Sequence, residues 1–262
     1  MNSTNQILNI SIIGSGNVAT ALGTAFSHCG INVLEVFSAN VDNSKLLAEK
    51  INCNYVEKIE KLNTVSDLYI IATTDNDISN VIPKLKIEDR VVVHTSGSQS
   101  IEIFNNHFQN FGVFYPVQTL TKDKKVEFRK VPICIEGSDE KTSELLIQLA
   151  KRISNNVVEL NSEQRQYLHL TAVTVNNFTN LLYNIAYEVL NEKDIDFSLL
   201  HPLIKETAIK IQSVNPHAAQ TGPARRKELS TINKHLELLD QYPEYKEIYN
   251  LLSTQIIKNY HG

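Results

Sequence analysis

A chain of 262 residues, 42% hydrophobic and 21% charged, is long enough for two packed domains and has the makeup of an ordinary globular protein. Its formal net charge of −4 leaves no basic excess for a nucleic-acid backbone, so nucleic acid is not expected as a partner. The three cysteines, Cys29, Cys53 and Cys134, form no C-x-x-C, and no apolar run approaches the roughly 20 residues that span a bilayer. With no basic-then-apolar leader either, a cytoplasmic protein with reduced thiols and no membrane partner is expected.

The first informative stretch is Ile10-Ser-Ile-Ile-Gly-Ser-Gly-Asn-Val-Ala19, an apolar run that breaks into a glycine-rich turn and then into a predicted helix over residues 17–29. In G-x-G-x-x-A, Gly14 makes a tight turn, Gly16 lets the backbone approach a pyrophosphate, and Ala19 keeps the helix close to its strand. Ser15, Gly16, Asn17 and Val18 would then offer backbone N–H groups to phosphates at a helix N-terminus, where the dipole favours negative charge. A second strand over residues 31–37 completes the βαβ context that this motif needs.

Residues 44–50 read as a short helix and 54–56 as a short strand. Residues 67–72 and 91–93 are apolar runs of the kind expected for strands covered on both faces. The first ends in Thr73-Thr74-Asp75-Asn76-Asp77, followed by a helix over 78–85, and the second ends in His94-Thr95-Ser96-Gly97-Ser98. Ligands in open parallel sheets bind beyond the carboxyl ends of the strands, so the loops at 14–18, 73–77 and 94–98 should converge on one site. Strands over 111–116 and 131–135, joined by a charged connection at 121–128, a helix over 139–153 and a strand over 157–160 complete the alternating part. From Ser162 the period is helical only, which places a domain boundary near Asn161: an α/β Rossmann-type, mostly parallel sheet domain at 1–161, then an all-α domain at 162–262.

One helix is predicted over residues 162–191, about 45 Å long at 1.5 Å per residue. An ideal 3.6-residue projection puts His169, Asn176, Asn177, Asn180 and Asn184 in one arc of roughly 100°. Asparagine is a modest helix former, so the arc reads as facing a cleft; a solvated or inter-subunit face is the bland alternative. Helices over 198–214, 230–239 and 244–260 follow, with Arg225 and Arg226 in a Gly-Pro-containing loop where a guanidinium would suit a carboxylate or phosphate.

Taken together, Gly14-x-Gly16-x-x-Ala19, His94-Thr-Ser-Gly-Ser98, Tyr115-Pro-Val-Gln-Thr119, His169 with Asn177, and Thr221-Gly-Pro-Ala-Arg-Arg226 resemble the Rossmann-like NADP oxidoreductases. That group is related to pyrroline-5-carboxylate reductase and to deazaflavin-dependent NADP reductases. The resemblance spans nearly the whole chain and implies a C-terminal helical domain like that of 6-phosphogluconate dehydrogenase, through which relatives dimerise. It implies no particular substrate.

The arginine that often follows the second strand in NADP-selective relatives is missing, since the stretch here is Ser38-Ala39-Asn40. No Asp or Glu ends that strand to hold an NAD ribose either, because Glu35 lies within it. Ser38 and Asn40, helped by Lys45, would accommodate a 2′-phosphate, so the expected cofactor is NADP, with NAD as the other possibility. Thr73, Thr74 and Ser96 are expected to touch the dinucleotide; Gln118, Asn180 and Arg226 the substrate.

For an oxidoreductase acting on a small carbonyl, imine or related substrate, His169, Asn177 and His94 are the candidate catalytic residues. Histidine titrates near neutrality, and His169 is preferred as the acid. The competing reading is a pyridine-nucleotide sensor without turnover. The Lys of a Lys-x-x-x-Asn pair found in some relatives is absent, with His169 and Val173 at that helix. The eight histidines show no metal-ligand spacing, so no metal is expected.

Overall fold

The computed structural model describes residues 6–122 and 124–262; Asp123, within the charged connection, lies outside the described residues. Eight strands form one sheet: β1 (Asn9–Ile13), β2 (Asn32–Phe37), β3 (Asn54–Val56), β4 (Leu68–Ile71), β5 (Val91–His94), β6 (Asn110–Pro116), β7 (Ile133–Gly137) and β8 (Val157–Glu159). Their order is β3-β2-β1-β4-β5-β6-β7-β8. Every pair is parallel except β6 with β7. Antiparallel pairing there follows from the connection, which crosses from β6 to β7 without a return helix.

The strand order reverses direction at β1, whose neighbours are β2 on one side and β4 on the other. This switch point leaves a crevice beyond the carboxyl ends of β1 and β4. The sheet is covered on both faces. In β4, Leu68 and Ile70 belong to one core cluster, with Leu22 and Phe26 of α1 (Asn17–His28), while Tyr69 and Ile71 belong to the other. All four β4 residues are buried, which is why that run is continuously apolar rather than alternating. Fully burying each such side chain is worth about 1.5–3 kcal/mol.

Helices α2 (Val41–Ile51) and α4 (Glu140–Ile153) join α1 on the first face, contributing Leu47, Ile51, Leu146 and Ile153. Helix α3 (Asp75–Val81) lies on the second face; it begins three residues before the expected start at 78, inside the expected loop, and ends four before the expected end at 85. Pro83 has no N–H to continue it, and residues 82–84 tighten into a 3₁₀ turn.

Two compact units are present, Met1–Asn177 and Phe178–Gly262. The first extends past the expected boundary at Asn161 because α5 (Ser162–Val173) is bound to the sheet domain through side chains of its first two turns. The helix expected over 162–191 is also interrupted. Residues Thr174–Phe178 form a π turn before α6 (Thr179–Asn191). An ideal 3.6-residue period does not run through a π turn, so the single arc joining His169 to the asparagines does not hold.

The second unit also contains α7 (His201–Lys210), the short α8 (Pro216–Ala219), α9 (Leu229–Leu238) and α10 (Pro243–His261). Within it, His235 Nδ1 and the Tyr249 hydroxyl are 2.6 Å apart, and Tyr245 donates to Glu188. Tyr260 stacks on His217 and lies under the Arg225 guanidinium, 4.1 Å from its ring centre. Neither α6 nor α7 buries a single residue, and Leu182, Leu203 and Leu251 stand exposed. No helix among the described residues is long and apolar enough to cross a membrane.

Candidate functional site

The crevice at the switch point has a volume of about 490 Å³ and is bounded by the turn at 14–18, the end of β2, and Ala72, Thr73 and Thr74 beyond β4. Gly14 sits at φ +125°, and a Cβ there would lie 2.2 Å from the Ala72 carbonyl oxygen, so no other residue fits. Gly16 is different. A Cβ at Gly16 meets no atom within 4 Å, and no side chain caps α1. The first turn of α1 therefore borders the crevice with its N–H groups uncapped by any side chain, the arrangement that suits an anion.

At the β2 end, Ser15 donates to Ser38 across 2.8 Å. Asn40 caps α2 by accepting from the Asn43 N–H, so its carbonyl oxygen is already engaged. Lys45 holds its ammonium over the Tyr55 ring instead of standing ready for a phosphate. Glu35 is buried and accepts from the Asn63 N–H at 2.6 Å, which turns the one carboxylate of β2 away from the crevice.

The loop after β5 is held from several sides. Ser96 Oγ accepts from the N–H groups of Ser98 and Gln99, the local capping role that competes with ligand contact. Ser98 donates to Asp75 at the start of α3, joining this loop to the crevice wall. From the other side, α5 begins with a capping box between Asn161 and Gln164, which fixes the phase of its first turns. Ser162, Arg165, Gln166 and His169 then share one face at helical spacing. Ser162 Oγ accepts from the Ile101 N–H, Gln166 donates to the Ser98 carbonyl at 2.9 Å, and Arg165 donates to the Gln99 carbonyl and to Glu136. The Arg165 side chain is 1% exposed and Glu136 13%, a buried pair whose disruption would leave a charge without its partner.

One turn beyond Arg165, His169 Nδ1 is 3.0 Å from the Tyr115 hydroxyl, with the rings edge to face. Both rings rest on Gly97, where a Cβ would come within 2.6 Å of His169 and 2.8 Å of Tyr115. Tyr115 follows two residues after Val113, the register partner of His94, so it rises beyond the carboxyl edge of β5. Burial is the main cause that raises the Tyr115 phenol above its usual range, with the nearby Cys134 adding to it and Arg165 opposing it.

His94 is not an exposed acid. It is fully buried, stacks on Phe104, and accepts at Nδ1 from the Ser96 N–H; its Nε2 has no partner among the described residues. Burial, reinforced by the Arg165 charge, lowers its pKa from 6.5 to about 4, so near neutral pH it is uncharged and shapes the loop.

Thr73 and Thr74, expected to touch a dinucleotide, line the crevice. Gln118 is exposed, its side-chain oxygen accepting from the Thr119 N–H. Asn177 lies in the π turn and accepts from Asn176, and Asn180 belongs to α6 of the second unit. Arg226 is held by two hydrogen bonds to Glu228, so its guanidinium is already committed to a carboxylate. Sequence reasoning placed Asp75 and Ser98 only within loops expected to converge on the site, missed Arg165, and did not single out Tyr115. A pointer was available: Arg165 and His169, at i and i+4, follow the helix's first turn directly.

A larger concavity, about 770 Å³, lies between the ends of α1, α2 and α4. Three of its cations donate to carbonyls, Lys50 to that of Lys122, Arg152 to that of Cys29 and Arg129 to that of Lys151. Lys50 and Arg152 also lie at helix C-termini, where cations offset the dipole. No group of three or more His, Cys, Asp or Glu among the described residues could hold a metal ion.

The glycine turn at a topological switch point defines a Rossmann-type domain, here followed by a helical unit. The Rossmann-like domain family matches residues 2–113, and a domain of unknown function, DUF2520, matches residues 131–256. The chain is 35% identical to the "putative NADP oxidoreductase" BF3122 of Bacteroides fragilis, with a TM-score of 0.89 over 98% of this chain and 100% of that one. It belongs to that family. More distant likenesses, of fold alone, include pyrroline-5-carboxylate reductase of Streptococcus pyogenes (13% identity, TM-score 0.64, 97% and 100% covered). An imine reductase of Myxococcus stipitatus in complex with NADP+ is similar to the same degree (14%, 0.65, 95% and 93%). No curated protein matches the chain.

Proposed function

We propose that this chain is an oxidoreductase that binds a nicotinamide dinucleotide, with NADP preferred, and reduces a small carbonyl or imine compound. The observation that carries the reading is the continuity from the crevice wall to an ionisable pair. Asp75, next in sequence to the crevice-lining Thr74, holds Ser98, and the loop containing Ser98 supports Tyr115 and His169. The relatives named NADP oxidoreductase and imine reductase support the reaction class.

The crevice fits the dinucleotide, because Gly16 leaves open space in front of the uncapped α1 N-terminus. The backbone at 14–18 would hold the pyrophosphate, and Ser15 and Ser38 the adenosine ribose. A 2′-phosphate at Ser38 meets hydroxyls and no Glu35 charge, which supports NADP. When bound, the reduced dinucleotide supplies a hydride. The protein's share is orientation, exclusion of water and a proton source, which His169 is placed to serve.

The helical unit supports a homodimer. Helices with apolar side chains and no buried residue need a surface to cover them, and a second copy supplies one. Sedimentation of the full chain, with Leu203→Asp as the disrupting variant, tests this.

The primary test is calorimetric titration of NADPH and NADH, followed by a screen of cyclic imines, ketones and 2-oxo acids for loss of dihydronicotinamide absorbance. Substrate-dependent oxidation establishes the enzyme. Tight binding with no oxidation across the panel would favour a nucleotide sensor, and no binding of either dinucleotide would end both readings.

A further inference from the structure

We infer that Tyr115 is the catalytic acid of this site and that His169, acting through it, restores its proton. The inference rests on the oxidoreductase reading above and deepens it by naming the proton path. Of the groups around the loop, His94 is buried and neutral, Asp75 is engaged by Ser98, and Arg165 is paired with Glu136. Tyr115 combines a polar hydrogen with a place beyond the strand edge, two residues past the register partner of His94. A half-buried tyrosine hydroxyl is usually satisfied by any acceptor. Here its partner is a titratable ring, and the pairing requires glycine at position 97.

Reducing a C=O or C=N bond places a hydride on carbon and a proton on oxygen or nitrogen. The Tyr115 O–H bond breaks as the proton moves to the substrate heteroatom, leaving a phenolate. His169 Nδ1 then gives its proton to the phenolate while Nε2 takes one from water, which reaches the half-exposed imidazole. The balance is one hydride from the reduced dinucleotide and one proton from solvent. The groups facing Tyr115 that shape its titration are His169 and Arg165 on α5, Cys134 on β7 and Asp75 on α3.

The test uses the full chain and its Tyr115→Phe and His169→Gln variants. Without substrate, 13Cζ-tyrosine NMR follows the Tyr115 resonance, assigned by its loss in Tyr115→Phe. A pH-dependent step in that resonance, absent from His169→Gln, is expected; a Tyr115 signal indifferent to His169 overturns the relay.

With the substrate that the screen finds, Tyr115→Phe should lower kcat about 10²–10⁴-fold while leaving the NADPH Kd unchanged. His169→Gln should lower kcat and change the shape of the kcat–pH profile while leaving the NADPH Kd unchanged. Undiminished kcat in Tyr115→Phe overturns this inference alone. A wild-type chain that binds NADPH and oxidises it with no member of the panel overturns the oxidoreductase reading, and the acid role falls with it, even where the NMR coupling is intact.

Discussion

Gly16 separates the fold from ligand binding, because changing it should move the two in opposite directions. Its backbone is extended, at φ −75° and ψ −170°, a conformation any residue adopts, and the space beyond its missing Cβ is empty to 4 Å. It is also the N-cap of a helix with no side-chain cap and no acidic residue in the first turn. Gly16→Asp supplies both features, so the free protein should gain about 0.3–1 kcal/mol. The same carboxylate would occupy the space assigned to the pyrophosphate and repel it.

At 100 times its dissociation constant, NADPH stabilises the wild-type protein by about 2.7 kcal/mol; a 100-fold weaker variant retains about 0.4 kcal/mol at that concentration. With about 2–4 °C per kcal/mol for a chain of this size, the ligand-induced thermal shift should shrink by roughly 5–9 °C. Differential scanning fluorimetry with and without NADPH reads both numbers. A variant that melts higher than wild type alone and fails to respond to NADPH is the expected result. Undiminished ligand response refutes the placement of the phosphates, and a drop of several degrees without ligand refutes the claim that the space is free.

Two further outcomes bear on the loop after β5. Gly97→Ala should cost about 1–3 kcal/mol in denaturant unfolding, because the new methyl overlaps both His169 and Tyr115. Much of that loss should disappear in a His169→Ala background, and equal costs in both backgrounds would show that the ring is not what the methyl meets. His94 makes a pH-dependent contribution whose sign is fixed by its lowered pKa. Stability it provides is present above pH 6.5 and is lost as the pH falls toward about 4, because the unfolded chain takes up the proton first. The wild-type acid limb should therefore be steeper than that of His94→Gln across this window, and parallel limbs would count against the buried neutral ring.

The parts of this architecture that were legible from sequence are those governed by short-range rules. G-x-G-x-x-A, the continuous apolar runs of β4 and β5, and the switch to helical periodicity report backbone sterics and two-sided burial, which act within a few residues. The loops at 73–77 and 94–98 could be placed at strand ends by topology alone. What escaped was fixed by contacts between distant segments. Arg165 meets Glu136 and Gln99 across 29 and 66 positions. Tyr115 meets His169 across 54. Neither pairing leaves a periodic trace. The π turn at 174–178 was also missed, because ideal helical spacing was carried through it. Likewise Arg226 looked available for a ligand only until Glu228, two residues away, was seen to hold it.

The helix face formed by Ser162, Arg165 and Gln166 bonds main-chain groups of Ile101, Gln99 and Ser98 in turn, while Ser96 secures two more from within the loop. A segment fastened at so many consecutive backbone groups has little conformational freedom left to surrender when a ligand arrives. The entropy of ordering it is settled during folding, so the site is preorganised, and affinity gained from its contacts is not consumed in arranging them. Redesign of the chemistry here is therefore better aimed at side chains the scaffold leaves unbonded than at the loop's length, since an inserted residue would undo several anchors at once.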